Sequence, residues 1–383
     1  MQCDYFDDAR CRSCTLMGQT YAAQLGAKER RCESALAAVA PDATWMAPFA
    51  SAEAGFRNKA KLVVGGRRGR VTVGILDAHG HGVDLRECGL YEPGLASLVP
   101  LLADAVDDLG LEPYDVPGRQ GELKHVIVTH SPDGEVMLRF VLRSRRHLAL
   151  LESRLPGLLA RFPELAVVSV NLQPEHKAIL EGDTEIILTE RELLPMRVND
   201  VTLNLRPNSF FQTNTAVAAG LYRQARDWVS EVAPTALWDL YCGVGGFALH
   251  CLDVVPVDTD VVGVEVSPEA VASAELSAEE LRATHTHLGR LSFHVGDATT
   301  VGLADRAAPE LVIVNPPRRG IGPELAGWLD RSDVRHVVYS SCNVDSLARD
   351  LALMPSFVPR RARLFDMFPQ TPHHEVMVLL ERS

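Results

Sequence analysis

The second half of the chain alternates short, fully apolar segments with segments of helical periodicity, and this alternation limits the choice of fold. The apolar segments that predict strands are residues 236–241, 261–266, 291–295, 311–314, 336–340 and 375–380. Strands without a polar face must be covered on both sides, so the helices between them predict a parallel sheet in a doubly wound α/β fold. Before the first strand, Val217, Leu221, Ala225, Trp228 and Val232 define one face of an amphipathic helix.

The first half follows a different pattern, in which strand-like segments are more frequent than helical ones. Its predicted strands are residues 61–65, 70–76, 124–129, 135–143, 166–172, 184–188 and 200–205. A turn signal from Ser131 to Gly134 separates the third strand from the fourth, and a helix is expected at residues 146–160. Paired strands with one or two helices describe an α+β domain.

A chain of 383 residues is long enough for two domains, because most domains contain about 100 to 200 residues. The change of pattern puts the boundary near Asn208, which gives an α+β domain at residues 1–208 and an α/β domain at residues 209–383. The sequence has no apolar run of the roughly 20 residues that cross a bilayer. It also lacks the basic start and apolar stretch of a secretory signal at its N-terminus. We therefore expect a cytoplasmic protein without a membrane partner.

Acidic residues outnumber basic ones, 50 to 38, and the net charge of −12 argues against a nucleic-acid partner. The distribution of charge weakens this argument, because a phosphate backbone responds to the local surface within a screening length of about 8 to 10 Å. The basic stretch 57–70 contains six basic residues and no acidic residue. Two further basic groups are Arg139, Arg143, Arg145 and Arg146, and Arg360, Arg361 and Arg363. These groups indicate either phosphate-binding surfaces or ordinary solvated faces.

Eight cysteines in a protein expected in the cytoplasm are more easily explained as ligands, nucleophiles or buried residues than as disulfides. Four of them form a spaced set, with three in a short N-terminal segment and one after a strand-like region: Cys3, Cys11, Cys14 and Cys88. Four thiolates suit an iron-sulfur cluster or a structural zinc ion, and the alternative is that they are isolated thiols. We interpret Cys32 and Cys251 as buried small apolar residues.

A glycine-rich turn follows the first strand of the α/β domain, where doubly wound sheets bind nucleotides. Gly243, Gly245 and Ala248 satisfy a dinucleotide-binding pattern, and Glu265 follows at the distance of a residue that holds a ribose hydroxyl. Asp239, four positions before the first glycine, is instead typical of S-adenosylmethionine sites. The turn by itself leaves both cofactors open.

Two later strand ends favour the methyl donor. Asn315 precedes Pro316 and Pro317, which form a rigid turn that can hold a planar base against the asparagine amide, and a hydride-transfer enzyme has no evident use for it. Cys342 ends the fifth strand just before a helical run at residues 344–353. A helix N-terminus favours a thiolate, so Cys342 is a candidate nucleophile, with a buried structural thiol as the alternative.

Five segments together resemble the RNA 5-methyluridine methyltransferases: residues 209–214, 243–246, 315–318, 340–343 and 374–376. The resemblance extends along essentially the whole chain. It implies a Rossmann-like class I S-adenosylmethionine methyltransferase domain at residues 209–383. At residues 1–208 it implies an α+β domain that recognises RNA and carries an iron-sulfur cluster. The chain begins almost at the cluster cysteines, as in the branch that methylates uracil 747 of 23S ribosomal RNA.

The resemblance also implies roles for individual residues. Cys342 is expected to attack C6 of uracil, and Glu375 to remove the proton from C5 after methyl transfer. The S-adenosyl-L-methionine site is expected to contain Gln212, Tyr241, Gly243, Gly245, Glu265 and Asn315. The ligands of a [4Fe-4S] cluster are expected to be Cys3, Cys11, Cys14 and Cys88.

Several alternatives stay open at this point. Gln212 and Asn315 suit the uracil as well as the cofactor, and some bacterial relatives modify a second uridine, so the exact target is open. A catalytically inactive iron-sulfur protein that binds RNA or assists assembly is a second hypothesis, and a nicotinamide-dependent reductase is a third. The intact residues Cys342 and Glu375 argue against the second, and Asn315 with its prolines is unexplained by the third. We expect a monomeric enzyme that acts on 23S ribosomal RNA.

Overall fold

A computed structural model describes residues 1–177, 179–301 and 307–383, and the chain divides into two compact units. The first unit comprises Met1–Met17 and Ala52–Met196, and the second comprises Gly18–Ser51 and Arg197–Ser383. The boundary expected near Asn208 thus lies inside the second unit. Residues 18–51 belong to that unit because the helix within them contributes Cys32 and Leu36, both almost fully buried, to its core.

The elements of the described residues are numbered here in chain order. The helices are α1 (Asp4–Asp7), α2 (Tyr21–Leu36), α3 (Pro93–Leu109), a 3-10 helix (Arg145–His147), α4 (Leu148–Arg161), α5 (Thr215–Val232), α6 (Gly246–Cys251), α7 (Pro268–Thr284), α8 (Ala298–Val301), α9 (Gly322–Arg331) and α10 (Val344–Ala352). The strands are β1 (Thr44–Trp45), β2 (Lys59–Arg67), β3 (Arg70–Leu76), β4 (Gly82–Asp84), β5 (Leu123–His130), β6 (Val136–Leu142), β7 (Leu165–Leu172), β8 (Thr184–Ile187), β9 (Leu194–Val198), β10 (Val201–Leu205), β11 (Ala236–Leu240), β12 (Asp260–Glu265), β13 (Arg290–Val295), β14 (Leu311–Val314), β15 (His336–Ser341), β16 (Phe357–Phe365) and β17 (Glu375–Arg382).

The first unit is built on a seven-stranded sheet in the order β4-β3-β2-β5-β6-β7-β8. Its pairs are antiparallel except β6 with β7, which α4 connects as a crossover helix. One face of the sheet packs against α3 and α4, with Leu95, Val99 and Leu151 among the buried side chains of the two helices. Six of the seven predicted strands and the helix at 146–160 are present in this unit, whereas the strand predicted at 200–205 is β10 of the second unit and α3 was not predicted.

The second unit contains an eight-stranded sheet in the order β1-β16-β17-β15-β14-β11-β12-β13. The predicted parallel pairs are present from β15 to β13. The last predicted strand, β17, was expected to be parallel, but it runs antiparallel between β15 and β16. β16 was not predicted because Arg360, Arg361 and Arg363 interrupt its apolar pattern with charge.

Helices cover both faces of this sheet. Residues of α2, α9 and α10 share one core with alternate sheet residues such as Trp238, Val312 and Tyr339. On the opposite face, α6 begins beside Asp239, whose carboxylate accepts from the backbone N–H of Ala248. The predicted apolar face of α5 is buried as far as Trp228. Among the described residues, no helix has both the length and the apolar character that a membrane crossing needs.

The reversed direction of β17 has a consequence for the functional edge of the sheet. The parallel strands β11, β12, β14 and β15 end at one edge, and an antiparallel neighbour begins at that same edge. Glu375 is the first residue of β17, and Val376 pairs with Ser341, the last residue of β15. Glu375 and Cys342 are therefore neighbours across two adjacent strands.

Candidate active site

A cavity of about 510 Å³ lies at this edge of the sheet, within the second unit. Seven of the predicted site residues line it: Gln212, Tyr241, Gly243, Glu265, Asn315, Cys342 and Glu375. The eighth, Gly245, is outside the lining. A cavity of this size is typical of small-molecule and cofactor sites, and its position matches the ligand crevice of doubly wound sheets.

The glycine turn after β11 requires backbone conformations that most residues avoid. Gly243 and Gly245 have φ values of 53° and 83°, and Tyr241 shares the left-handed region with a φ of 63°. A non-glycine residue in that region costs about 1 to 2 kcal/mol, so the fold holds Tyr241 there against its preference. A Cβ on Gly245 would lie 2.9 Å from the ring of Phe293. Because it has no side chain, Gly245 allows α6 to start close to the sheet, although Gly245 itself does not line the cavity.

Two carboxylates support the turn from different sides. Glu265, at the end of β12, accepts from the backbone N–H of Gly243 at 3.1 Å and from that of Ser267 at 3.0 Å. It faces the cavity, where its carboxylate can also accept from a hydroxyl group. Asp239 is fully buried below the turn and accepts from Ala248 at 2.9 Å. Burial raises the pKa of Asp239 to about 7.

Asn315 and its two prolines leave the end of β14 and form one wall of the cavity. No hydrogen bond of the Asn315 side chain occurs among the residues that the structure describes, so its donor and acceptor are available to a ligand. The turn is tied to the next strand end, because the Asn343 amide donates to the carbonyl of Arg318 at 3.0 Å. Asn343 also caps α10 by accepting from the N–H of Asp345.

Cys342 is half-buried and lies one residue before the cap of α10. Burial raises the pKa of its thiol, the neighbouring carboxyl of Glu375 raises it further, and the guanidinium of Arg318 lowers it. The helix N-terminus favours the thiolate, but burial opposes it and outweighs the favourable charge of Arg318 in the free protein. The thiol must lose its proton before it can act as a nucleophile.

Glu375 is 4% exposed, and burial raises the pKa of its carboxyl to about 8. Its Oε2 atom has no hydrogen-bond partner among the described residues. At neutral pH the carboxyl is mostly protonated in the free protein. A group with a pKa close to the working pH is well suited to take up and release a proton.

Some cavity residues were not singled out from the sequence. Asp297 follows β13 and lines the cavity, and it was missed although the rule that drew attention to Glu265 and Asn315 applies equally to this strand end. Phe210 is 73% exposed at the cavity, an unusual position for a large apolar side chain. Arg319 also lines the cavity and lowers the pKa of Asp297 by its charge, after the hydrogen bonds from Thr299.

A model of the tRNA (uracil-5-)-methyltransferase family matches residues 175–383 of this chain. Two relatives named 23S rRNA (uracil(747)-C(5))-methyltransferase RlmC, from Halothiobacillus neapolitanus and Shigella boydii, are 49% and 47% identical to it. Each alignment covers 100% of both chains. The chain belongs to the tRNA (uracil-5-)-methyltransferase family.

The family membership confirms the resemblance inferred from the five motif segments. A solved structure, that of Pyrococcus abyssi tRNA (uracil-54, C5)-methyltransferase in complex with S-adenosyl-L-homocysteine, is similar in fold with a TM-score of 0.78. The two chains are 24% identical, and the match covers 96% of this chain and 85% of the other. Together with the sheet order, this similarity confirms the class I methyltransferase fold.

The segment that leads into Glu375 is held by hydrogen bonds from α2. Cys32 Sγ lies 3.0 Å from His374 Nε2, and both residues are buried. One turn earlier in α2, the ammonium of Lys28 donates to the carboxylate of Asp366 at 2.5 Å, with both side chains nearly inaccessible to water. These contacts explain why residues 18–51 belong to the second unit although they precede most of the first in sequence.

The four spaced cysteines all lie in the first unit. Cys14 is buried, while Cys3, Cys11 and Cys88 are partly exposed. Burial raises the pKa of Cys14 to about 11, and the other three thiols are close enough to raise it further by their charge. Within the described ranges, no group of three or more His, Cys, Asp or Glu residues has the arrangement of a metal-ion site. Cys32 and Cys251 are fully buried, as predicted.

The basic stretch 57–70 forms β2 and the turn into β3. Arg67 and Arg70 pair across this hairpin, both are exposed, and neither forms an ion pair among the described residues. Lys61 lies 3.6 Å from a carboxylate oxygen of Glu181. Burial lowers the pKa of Lys59 to about 8. The free positive charge of the stretch is therefore concentrated at the hairpin end.

The other two basic groups are neutralised only in part, because Arg145 and Arg146 are exposed and form no ion pair among the described residues. Arg139 is 1% exposed and donates to carboxylates of Glu181 and Glu185 at 2.8 and 2.6 Å. The ion pairs of the third group are Arg360 with Glu381 and Arg361 with Glu231. A buried or paired guanidinium has little free charge to offer a phosphate, so Arg139, Arg360 and Arg361 are less suited to phosphate contacts than the exposed Arg145 and Arg146.

Proposed function

We propose that this protein transfers a methyl group from S-adenosyl-L-methionine to C5 of a uridine in 23S ribosomal RNA, with uracil 747 as the target. The observation that carries the proposal is the position of Cys342 and Glu375 side by side in one cavity with the glycine turn. The full-length similarity to the RlmC relatives supports the choice of RNA and nucleotide.

The cavity has the groups that a nucleoside-type methyl donor requires. Glu265 ends β12, where an acidic residue can accept from ribose hydroxyls. Gly243 allows the backbone to approach the cofactor closely. Gln212, Tyr241 and Asn315 complete the proposed site, while Gly245 supports it by its backbone conformation. When bound there, S-adenosyl-L-methionine supplies a methyl group on a positively charged sulfur.

Cys342 starts the proposed reaction. Its thiolate forms a bond to C6 of uracil, and the electrons of the C5–C6 double bond move into the ring as an enolate, which makes C5 nucleophilic. C5 then forms a bond to the methyl group as the bond from that group to sulfur breaks, and the electrons of the broken bond stay with the departing S-adenosyl-L-homocysteine. The adjacent guanidinium of Arg318 favours the thiolate, although burial opposes it.

Glu375 ends the reaction in this proposal. Its carboxylate removes the remaining proton from C5, and the electrons of that C–H bond restore the C5–C6 double bond. The bond from C6 to sulfur breaks, and its electrons return to Cys342. The position of Glu375 across from the end of β15 suits this role, because one carboxylate must reach a carbon next to the one bound by sulfur.

We also propose that Cys3, Cys11, Cys14 and Cys88 hold a [4Fe-4S] cluster that orders the N-terminal segment of the first unit. The electrostatic proximity of all four thiols supports this assignment. Iron and acid-labile sulfide in protein purified without oxygen are the expected result. One equivalent of zinc without sulfide would contradict it.

The first unit is proposed to recognise RNA, with Arg67 and Arg70 at the hairpin end as phosphate contacts. A ribosomal RNA substrate implies a cytoplasmic enzyme, and the proposed chemistry uses residues of one chain, so we propose a monomer.

The most direct cellular test is a map of 5-methyluridine in 23S ribosomal RNA from cells with and without this gene. The proposal predicts that a single modification, at uracil 747, disappears when the gene is removed and returns with the wild-type gene. A catalytically inactive RNA-binding protein would leave the map unchanged. A variant with Cys342→Ala is the matched control and should fail to restore the modification.

A further inference from the structure

The first unit contains a second cavity, of about 440 Å³, which the proposed reaction does not use. It lies on the face of the seven-stranded sheet opposite α3 and α4, because the lining residue Val63 alternates along β2 with the core residues Leu62 and Val64. Its volume is that of a small-molecule site. Val63 lies inside the basic stretch 57–70, while Leu76, a second lining residue, is the last residue of β3, at the end of that strand away from the hairpin turn.

One wall of the cavity is an aromatic ring that is fixed in place. The hydroxyl of Tyr114 lies 2.9 Å from Nδ1 of His176, and the Lys124 ammonium lies 4.8 Å from the centre of its ring. Lys124 is buried and already donates to the side chain of Gln173 and to the carbonyl of Glu175. Its charge is therefore occupied, and the cavity is better suited to an uncharged planar group than to a phosphate.

His125 gives the cavity a hydrogen-bonding group without a partner. Its ring lines the cavity, Nδ1 is buried, and neither ring nitrogen forms a hydrogen bond within the described part of the chain. Burial lowers the pKa of His125 to about 4, so the ring is neutral and has one donor and one acceptor. Buried polar groups normally have partners, and this one lacks a partner in the protein.

We propose that this cavity binds one unpaired nucleobase of the RNA substrate, outside the target uridine, against Tyr114 and in hydrogen-bond contact with His125. Proteins that recognise single-stranded RNA stack bases on aromatic side chains and bond to base edges, and both features are present here. The proposal rests on the function proposed above, since it assumes an RNA substrate.

The test combines one protein change with a scan of the RNA. His125→Phe keeps a ring but removes both nitrogen atoms, and His147→Phe is a matched control, since His147 is partly buried in the same unit but outside the cavity. Tyr114→Leu is a second variant in case the first does not fold. A set of target hairpins, each with one abasic nucleotide outside the target uridine, supplies the RNA changes.

We expect His125→Phe to raise the KM for RNA about tenfold, with kcat and the affinity for S-adenosyl-L-methionine unchanged. One abasic position should raise the KM of the wild-type protein for RNA by a similar factor. The same abasic position should not raise the KM of the variant any further. The proposal would be overturned if every abasic position raised the KM of wild type and variant by equal factors. An unchanged KM in both cavity variants would also overturn it. RNA binding is also measured without S-adenosyl-L-methionine. Because that measurement does not depend on methyl transfer, it separates failure of this proposal from failure of the proposed reaction.

A second inference comes from the independent contact between Cys32 and His374. Nδ1 of His374 lies 3.0 Å from the carbonyl of Pro372, which can only accept, so Nδ1 carries the proton and Nε2 accepts from the Cys32 thiol. Burial raises the pKa of Cys32 to about 12 and lowers that of His374, which is consistent with a neutral thiol donor and a neutral ring. We infer that Cys32 is a positioning residue for Glu375, the next residue after His374.

The test compares Cys32→Ala, which removes the donor, with Cys32→Ser, which keeps one. This inference also rests on the proposed role of Glu375 as the base. Misplacing a base by a fraction of an ångström slows proton transfer, so Cys32→Ala should lower kcat about tenfold and let a methylated covalent protein–RNA adduct accumulate. Affinity for S-adenosyl-L-methionine should stay unchanged, and Cys32→Ser should restore kcat. If the two variants behave alike, Cys32 is only a packing residue.

Discussion

Glu375→Gln should change the pH dependence of stability as well as the reaction. Burial raises the pKa of Glu375 from 4.5 to about 8, so between these values the folded protein keeps a proton that the unfolded chain releases. Stability of the wild type therefore falls as pH rises through this range, and it has its full value below pH 4.5. Glutamine has no proton to lose, so the variant escapes this loss.

The expected size follows from the shift. Each pH unit between 4.5 and 8 lowers the free energy of unfolding of the wild type by about 1.4 kcal/mol. The free energy of unfolding of the variant should therefore exceed that of the wild type by up to roughly 5 kcal/mol at pH 8. The gain should be near zero at about pH 4.5 and constant above about pH 8. The side chain is 4% exposed, so solvent screening reduces this figure little.

Urea unfolding followed by tryptophan fluorescence measures this difference in the relevant unit, because all four tryptophans lie in residues 18–51 and 197–383. Wild type, Glu375→Gln and the exposed control Glu279→Gln are compared at several pH values from about 4.5 to 9. The control should follow the wild type within about 1 kcal/mol. If the wild type and Glu375→Gln differ by the same amount at every pH, Glu375 is not a buried acid with a raised pKa.

Three further predictions follow from the site and its supports. Because Glu375 must be deprotonated to act as the base, kcat should rise as pH increases through about 8, and the raised pKa of the Cys342 thiol favours a further rise in the same direction; a flat profile measured under saturating substrates would contradict these roles. Arg67→Ala with Arg70→Ala should weaken RNA binding and flatten its salt dependence by roughly two units of slope, whereas an unchanged slope would make the hairpin end an ordinary solvated surface. Lys28→Met should lower the free energy of unfolding by about 3 to 5 kcal/mol, because it leaves Asp366 buried and unpaired. A decrease below about 1 kcal/mol in urea unfolding would show that the ion pair does not stabilise the fold.

The fold of the second unit could be predicted largely because its strands are apolar on both faces, a pattern that leaves few alternatives. The same reasoning missed β16, whose arginines are accommodated by partners such as Glu231 and Glu381 that only the folded chain brings near. It also assigned residues 18–51 to the wrong side of the boundary near Asn208. The contacts of Lys28 and Cys32 with residues more than 300 positions away leave no periodic signal in the sequence.

The candidate site was predictable to a different degree. Residues that follow parallel strands, such as Glu265 and Asn315, can be found from the pattern because those strand ends meet at one edge. Glu375 follows no such rule, since it begins a strand, and only the resemblance to a family singled it out. The raised pKa values of Cys342 and Glu375 depend on burial, which neighbouring residues in sequence do not determine.

The central claim, that Cys342 forms a bond to C6 of a uridine, is tested most directly by trapping that bond. RNA containing 5-fluorouracil at the target position cannot lose fluorine as a cation, so the proposed reaction stops after methyl transfer. The protein–RNA adduct is digested and its peptides are identified by mass spectrometry. We expect a methylated 5-fluorouridine attached to the peptide that contains Cys342, and no adduct with Cys342→Ala. An adduct on another cysteine, or methylated RNA released without any adduct, would contradict it.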